Sequence, residues 1–98
     1  MNDDADDADE ADDLAALHDN LASTAELPVE RSASRWLGEA EALAADLRES
    51  DLPDDVVADR LATIEKLLRQ VEETGDQRAD EHVAAARERL ADARARYD

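Results

Sequence analysis

The acidic side chains and the two histidines are the residues of this chain that could do chemistry. Asp and Glu supply 28 of the 98 residues, so carboxylate pairs arise by chance and spacing alone identifies no general acid and base. A di-iron helical bundle would need a Glu three residues before a histidine on each of two helices. Ala15 precedes His18 by three residues and Ala79 precedes His82 by three, so neither histidine completes that motif. We therefore predict no catalytic residue and no metal site.

Glycine and cysteine, which carry phosphate-loop and thiol chemistry, are almost missing. Gly38 and Gly75 are the only glycines, too few for a phosphate-binding loop, and no cysteine is available for a disulfide or a thiolate metal site. We expect no cofactor, and we predict that the chain is not an enzyme. Gly38 falls inside a predicted helix, at a cost of about 1 kcal/mol relative to alanine. We expect a neighbouring helix to pass close to it, with a backbone-bound ligand as the alternative.

Three heptad repeats predict the helices that make up most of the chain. Apolar residues that alternate four and three positions apart place one hydrophobic seam along a helix. The seams consist of Val29, Ala33, Trp36, Ala40, Leu43 and Leu47; of Val57, Leu61, Ile64, Leu68 and Val71; and of Ala79, Val83, Ala86, Leu90, Ala93 and Tyr97. The corresponding long helices are predicted over residues 28–49, 53–74 and 77–97.

Prolines, acids and a glycine mark the ends of these helices. Pro28 and Pro53 suit the first turn of a helix, and Asp51 and Asp76 are the predicted N-caps of the second and third long helices. Gly75 is the predicted residue just past the end of the second one. Because the connections are short, consecutive helices should pack antiparallel.

The N-terminal part of the chain differs from the rest. Residues 1–13, MNDDADDADEADD, are predicted to form an acidic, disordered leader, and residues 14–98 the helical bundle domain. Leu14, Leu17 and Leu21 predict a short helix within residues 10–23. The fold class is therefore all-α: an antiparallel up-down three-helix bundle with an additional short N-terminal helix, which could make a four-helix arrangement.

A second apolar line lies outside the three seams. This line consists of Leu37, Ala44, Val56 and Leu67. We expect another surface to bury it, either the leucine helix at the N-terminus or a second copy of the protein. Seam alanines on the first and last long helices predict that these two helices meet. We expect Trp36, Leu37 and Leu67 at a contact with a partner.

The charge of the chain indicates its habitat. The formal net charge is -17, with 17 Asp against 11 Glu and 10 Arg against one Lys. Concentrated salt screens the self-repulsion of such a chain, because the Debye length falls to about 3 Å at 1 M. These ratios resemble the residue bias of halophilic archaea. The stretches VERSASRWLGEAEALAADL (29–47) and TGDQRADEHVAAA (74–86) resemble short acidic helical proteins of halophilic archaea of unknown function, a resemblance that implies a helical fold and no activity.

A non-enzymatic role in protein–protein interaction or as a scaffold is the function we predict. The bundle should self-associate, with a homodimer as the candidate form; the protein partner is unknown. The alternative is a nucleic-acid-mimicking or antitoxin-like inhibitor of a basic protein. Direct nucleic-acid binding is not expected, because the arginines of the last helix alternate with acids. Without a signal peptide or a long apolar segment, we expect a cytoplasmic protein that does not enter a membrane.

Overall fold

Four α-helices form a closed ring in the computed structural model, which describes the backbone of residues 2–97 and the side chains of residues 13–97. They are α1 (Asn2–Thr24), α2 (Arg31–Glu49), α3 (Asp54–Arg69) and α4 (Gln77–Tyr97), and the described residues contain no strand. Each helix packs antiparallel against the next, and α4 returns to α1 in the most extensive contact of the four. The all-α prediction is confirmed in its four-helix form.

Helix α1 completes the core. Leu17 and Leu21 are fully buried, and Leu14 is 9 % exposed. Their burial puts Leu37 and Ala44, on the second apolar line of the sequence, inside the core as well. The N-terminal helix therefore covers the α2 part of this line, whereas Val56 and Leu67 on α3 stay half-buried.

The start of α1 differs from the prediction. The helix begins at Asn2 rather than near residue 10, and so runs through the stretch that the sequence predicts to be a disordered leader. Alanine has the highest helix propensity, and acids stabilise the positive N-terminal end of a helix. The boundary between an acidic leader and a bundle domain at residues 13 and 14 stays a prediction, because only the backbone of residues 2–12 is described.

The predicted contact between the first and last long helices is wrong. These helices are α2 and α4, which stand diagonally across the ring with α1 and α3 between them. Ala79, Ala86 and Ala93 do line the buried side of α4. Their helix instead packs most extensively on α1, because the fourth helix separates α4 from α2.

The buried side of α2 is rotated from the predicted seam. Ala33, Leu37, Ala40, Ala44 and Leu47 face the core, four and three residues apart. Trp36 and Leu43 are only half-buried and pack against its edge. The addition of α1 turns this side of α2 toward the centre of four helices rather than three.

Helix α3 ends at Arg69, five residues before the predicted end at Thr74. The guanidinium of Arg87, on α4, donates hydrogen bonds of 2.7 Å to the carbonyls of Leu68 and Val71. The last carbonyls of a helix lack partners within it, and a cation there also suits the helix dipole. A side chain from the neighbouring helix thus supplies the cap of α3.

The connection between α3 and α4 is held by Thr74, which is fully buried. The Thr74 hydroxyl lies 2.7 Å from the carboxylate of Asp80 and accepts a hydrogen bond from the N–H of Asp76 at 3.1 Å. The backbone N–H of Thr74 also donates to the Asp80 carboxylate, at 2.9 Å. The N–H of Glu30 donates to the Thr74 carbonyl at 2.6 Å. This one residue therefore fastens the connection before α2 to the connection before α4.

The helix-end predictions have mixed outcomes. The Asp76 carboxylate accepts from the N–H of Ala79 at 3.2 Å, which confirms it as the N-cap of α4. Pro53 rather than Asp51 occupies the N-cap position of α3, and α2 starts at Arg31, three residues after Pro28. Gly75 adopts a φ of 85° just before Asp76, so it shapes the connection and does not end α3 directly.

The expectation that a helix passes close to Gly38 is wrong. A Cβ built on this glycine would meet no atom within 4 Å, and the residue is exposed. A glycine within a helix that has open space beside it costs helix propensity without an evident gain in packing.

Candidate interaction surface on α2 and α3

Polar side chains join α1 to α4 along the whole described length of their contact. The buried carboxylate of Asp13 accepts hydrogen bonds from Arg89 at 3.4 Å and from Arg96 at 3.1 Å. Near the other end, the Nδ1 atom of His82 lies 3.2 Å from the side-chain oxygen of Asn20. An open groove of about 860 Å³ runs beside the bonds of Asp13 to Arg89 and Arg96. The pairs hold the first and last helices together.

Ion pairs also join α1 to α2 and α3 to α4. The guanidinium of Arg48 on α2 lies 3.2 Å from the carboxylate of Asp19 on α1. Glu65 on α3 pairs with Arg94 on α4 and with Arg69 on its own helix. The arginines of α4, which alternate with acids in the sequence, thus mostly reach other helices.

The contact between α2 and α3 is different in kind. Across the described side chains of this helix pair, no ion pair and no side-chain hydrogen bond crosses from one helix to the other. Its outer edge instead carries three large apolar side chains that are half-buried, Trp36 and Leu43 on α2 and Leu67 on α3. Apolar packing alone therefore holds this pair together.

The positions of neighbouring residues show that these side chains share one face. Ser34, Gly38 and Glu41 line a small groove together with the end of α1, and Arg48 reaches α1 from the same side of α2. Trp36 and Leu43 lie on the opposite edge of the core stripe, toward α3. On α3, Glu65 marks the α4 side, so Leu67 lies on the edge toward α2.

Six exposed charged residues surround the three apolar ones: Arg35, Glu39 and Asp46 on α2, and Asp59, Arg60 and Lys66 on α3. We call these nine residues the α2–α3 face. None of the six charges forms an ion pair with another described side chain. The guanidinium of Arg35 lies over the Trp36 ring, 5.3 Å from its centroid, within the range of a cation–π interaction.

Two of the three predicted contact residues belong to this face. Trp36 and Leu67 are half-buried there, whereas Leu37 is 2 % exposed in the core and is not accessible to a partner in the folded bundle. Sequence reasoning missed the buried Asp13. The sequence contains two features that point to this contact. Arg89 and Arg96 are seven residues apart on one side of a helix, and Asp13 directly precedes Leu14, the first of the three leucines.

The structure places the histidines at helix contacts rather than in a cluster. Nδ1 of His18 lies 3.2 Å from the Arg48 guanidinium, and His82 is bonded to Asn20. Among the described residues, no three His, Asp or Glu side chains are grouped in a way that could hold a metal ion. No helix in the described part of the chain is long and apolar enough to cross a membrane.

The pKa of Asp76 is lowered from its usual value of 3.8, at the start of α4. The main cause is the hydrogen bond from the Arg78 side chain, helped by the N–H groups of Ala79 and Arg78 and opposed by partial burial. The same contact raises the pKa of Arg78. This pair is a helix cap, so its electrostatics serve the fold.

Comparison with known proteins identifies the family. A family model described as Domain of unknown function (DUF8152) matches residues 13–98. The chain belongs to this family. The DUF8152 match begins at Asp13, the carboxylate that bonds with Arg89 and Arg96, and includes α2, α3 and α4 in full. Comparisons with curated proteins and with solved structures found no match.

Proposed function

We propose that this DUF8152 chain is a non-enzymatic interaction module that contacts another protein through the α2–α3 face. The observation that supports the proposal is the contrast between this helix pair and the other three. The other pairs are joined by polar side chains, whereas the α2–α3 face presents a tryptophan, two leucines and six charges that the described side chains do not pair.

The chemistry of the face is that of a contact surface. Tryptophan and arginine are enriched among residues that dominate binding energy, and aromatic residues are enriched in interface cores with a polar rim around them. Trp36 would lose its remaining exposed area on binding. Arg35, stacked on the same ring, would lie where a partner carboxylate could reach it.

A photo-crosslinking amino acid at Lys66 tests the proposal, since this exposed residue lies beside Leu67 on α3. The matched control carries the same probe at Glu88, which is exposed on the outer side of α4. In cells of the native host, we expect protein adducts from position 66 and few from position 88. Equal yields from the two positions, or no adduct from position 66, would refute the proposal.

Two substitutions test which side chain provides the contact. Trp36→Ala should lower the adduct yield from position 66 by about tenfold, the effect of losing a side chain worth about 1.4 kcal/mol or more. Tyr97→Ala is the control, because Tyr97 is also a half-buried aromatic residue packed against the core, but on α4. Circular dichroism must show both variants folded.

An acidic inhibitor of a basic protein is the second candidate function. Eight of the ten arginines form hydrogen bonds to acids or backbone carbonyls of the bundle, or stack on Trp36, and so leave acids dominant on the surface. Asp46, Glu49, Asp51, Asp54 and Asp55 are all exposed around the connection from α2 to α3. Competition with DNA for a basic DNA-binding protein at high salt would favour this function. In that case Asp51→Lys with Asp54→Lys should weaken the competition, and Trp36→Ala should not.

We also propose that the protein works in concentrated salt in the cytoplasm of a halophilic archaeon. The acid excess, the Asp to Glu ratio and the single lysine support this habitat. Thermal unfolding should then shift upward steadily as the salt concentration rises toward about 2 M, because screening removes the repulsion between acids. A melting temperature that does not respond to salt would contradict it.

A further inference from the structure

We infer that the partner seated on the α2–α3 face is a second copy of this chain, related by a two-fold axis that runs across the helices. This inference rests on the proposed function, since it names the occupant of the same face. The argument comes from where the charges lie along α2 and α3.

Each helix of the face carries a cation toward one end and an acid toward the other. On α2, Arg35 precedes Asp46 by eleven residues, or about 16 Å along the helix. On α3, Asp59 precedes Lys66 by seven residues, or about 10 Å. Because the two helices are antiparallel, Arg35 and Lys66 lie toward one end of the bundle and Asp46 and Asp59 toward the other.

The midpoints of the two charge pairs lie at nearly the same position along the bundle axis. The α2 pair is centred between Ala40 and Glu41, and the α3 pair between Ala62 and Thr63. Ala33, near the start of α2, and Val71, just past the end of α3, line the same small groove, so the middle of each helix lies beside the middle of the other. One axis across the helices can therefore pass close to both midpoints.

Only one of the two simple two-fold arrangements brings opposite charges together. With the axis across the helices, each α2 lies antiparallel on the α2 of the second copy, so Arg35 faces Asp46 and, on α3, Lys66 faces Asp59. With the axis along the helices, α2 would lie on α3 of the second copy, and Arg35 would face Lys66 while Asp46 faced Asp59. Like charges in direct opposition disfavour a contact, so the first arrangement is favoured.

The remaining residues of the face fit a contact that closes after two copies. Glu39 and Arg60, one of each sign, lie nearer the axis, and Trp36 would meet the region of Leu43 to Asp46 on the second copy. Two helices of 16 and 19 residues present about 500 Å² per copy, which is toward the low end for a specific interface. We therefore expect a reversible dimer whose population depends on protein concentration.

Charge reversal in pairs tests the arrangement by light scattering or sedimentation, with wild type expected at twice the 10.7 kDa monomer mass. The basic-end variant is Arg35→Glu with Lys66→Glu, and the acidic-end variant is Asp46→Arg with Asp59→Lys. In either variant alone, all four cross-copy pairs become repulsive, and the dissociation constant should rise by about tenfold or more. A one-to-one mixture should form a heterodimer, because every pair is attractive again.

Two further variants separate the contact from general charge effects. The variant that carries all four reversals keeps the wild-type net charge and should dimerise with an affinity within about threefold of wild type. Glu81→Lys with Glu88→Lys changes the net charge as the acidic-end variant does, but on the outer side of α4, and should stay dimeric. All samples are compared at a salt concentration where circular dichroism shows them helical.

The outcomes distinguish this inference from the proposed function. A wild-type protein that stays monomeric at about 1 mM, or reversed variants that do not pair with each other, would overturn the second copy as partner. If the Lys66 probe then gave adducts with a different protein, the interaction surface would stand with another occupant. If the Lys66 probe gave no adduct, both the proposed function and the second copy as partner would be refuted.

Discussion

The two glycines should respond to alanine in opposite directions. Gly38→Ala adds a methyl group that meets no atom within 4 Å, in the middle of α2. The substitution keeps every contact and gains helix propensity, so we expect the free energy of unfolding to rise by about 0.8–1 kcal/mol. At about 4–8 °C per kcal/mol for a domain of this size, the melting temperature should rise by about 3–8 °C.

Gly75→Ala should destabilise the same protein. The residue adopts a φ of 85°, which costs a non-glycine residue about 1–2 kcal/mol. The new methyl group would also lie 2.9 Å from the Cγ atom of Glu30, whose side chain can move aside only by leaving its position beside the α3–α4 connection. We expect a loss of about 1–2 kcal/mol, so the two variants should differ by about 2–3 kcal/mol.

Urea unfolding followed by circular dichroism in about 2 M salt measures both changes on one scale. Equal slopes in urea would show that the unfolded state is the same in the two variants. A Gly38→Ala protein less stable than wild type would refute our account of α2, because it would require a close neighbour or a ligand at that backbone. A neutral Gly75→Ala would refute the strained turn.

Four other predictions concern the core, the connection, the pH response and the acidic segment. Leu17→Ala should cost about 3 kcal/mol in urea unfolding if α1 is part of the core, since the side chain is fully buried. Thr74→Val should cost about 2 kcal/mol by losing hydrogen bonds to a carboxylate and to a backbone N–H, whereas Thr63→Val, an exposed hydroxyl, should stay within about 0.5 kcal/mol of wild type. Because the pKa of Asp76 is lowered on folding, wild type should be more stable than Asp76→Asn above about pH 4, and that advantage should vanish as the pH falls through the lowered pKa; an advantage that persists in acid would contradict the cap. Removal of residues 1–12, which carry seven acids and no base, should raise the melting temperature in dilute salt and leave it unchanged in about 2 M salt, and a large loss at both would place these residues in the bundle.

The heptad pattern predicts that helices form more reliably than it predicts which side of each faces the core. On α3 and α4 the predicted seams are the buried sides. On α2 the two lines through Trp36 and through Leu37 share Ala33, Ala40 and Leu47, so rotation of the helix by a fraction of a turn exchanges them. The number of neighbouring helices decides between the two lines, and a local pattern does not contain that number.

Contacts between distant residues account for the other differences. The Arg87 side chain caps α3 across 16 to 19 residues, and Asp13 is bonded to Arg89 and Arg96 across 76 and 83. A single arginine in an acidic sequence has many possible partners, so charge pattern alone does not select one. The α2–α3 face was found only in part, through Trp36 and Leu67, because the sequence does not show which arginines bond to other helices.

The closure of the ring by α1 and α4 sets an order on folding during synthesis. The ribosome releases α1 first and α4 last, and pairs such as Asp13 with Arg96 lie 83 residues apart. Until α4 emerges, the leucines of α1 can pack against α2 but lack the helix that contacts them most extensively. Until α4 is synthesised, the apolar side of α1 therefore stays partly exposed to water. The chain reaches its final stability only once α4 is released.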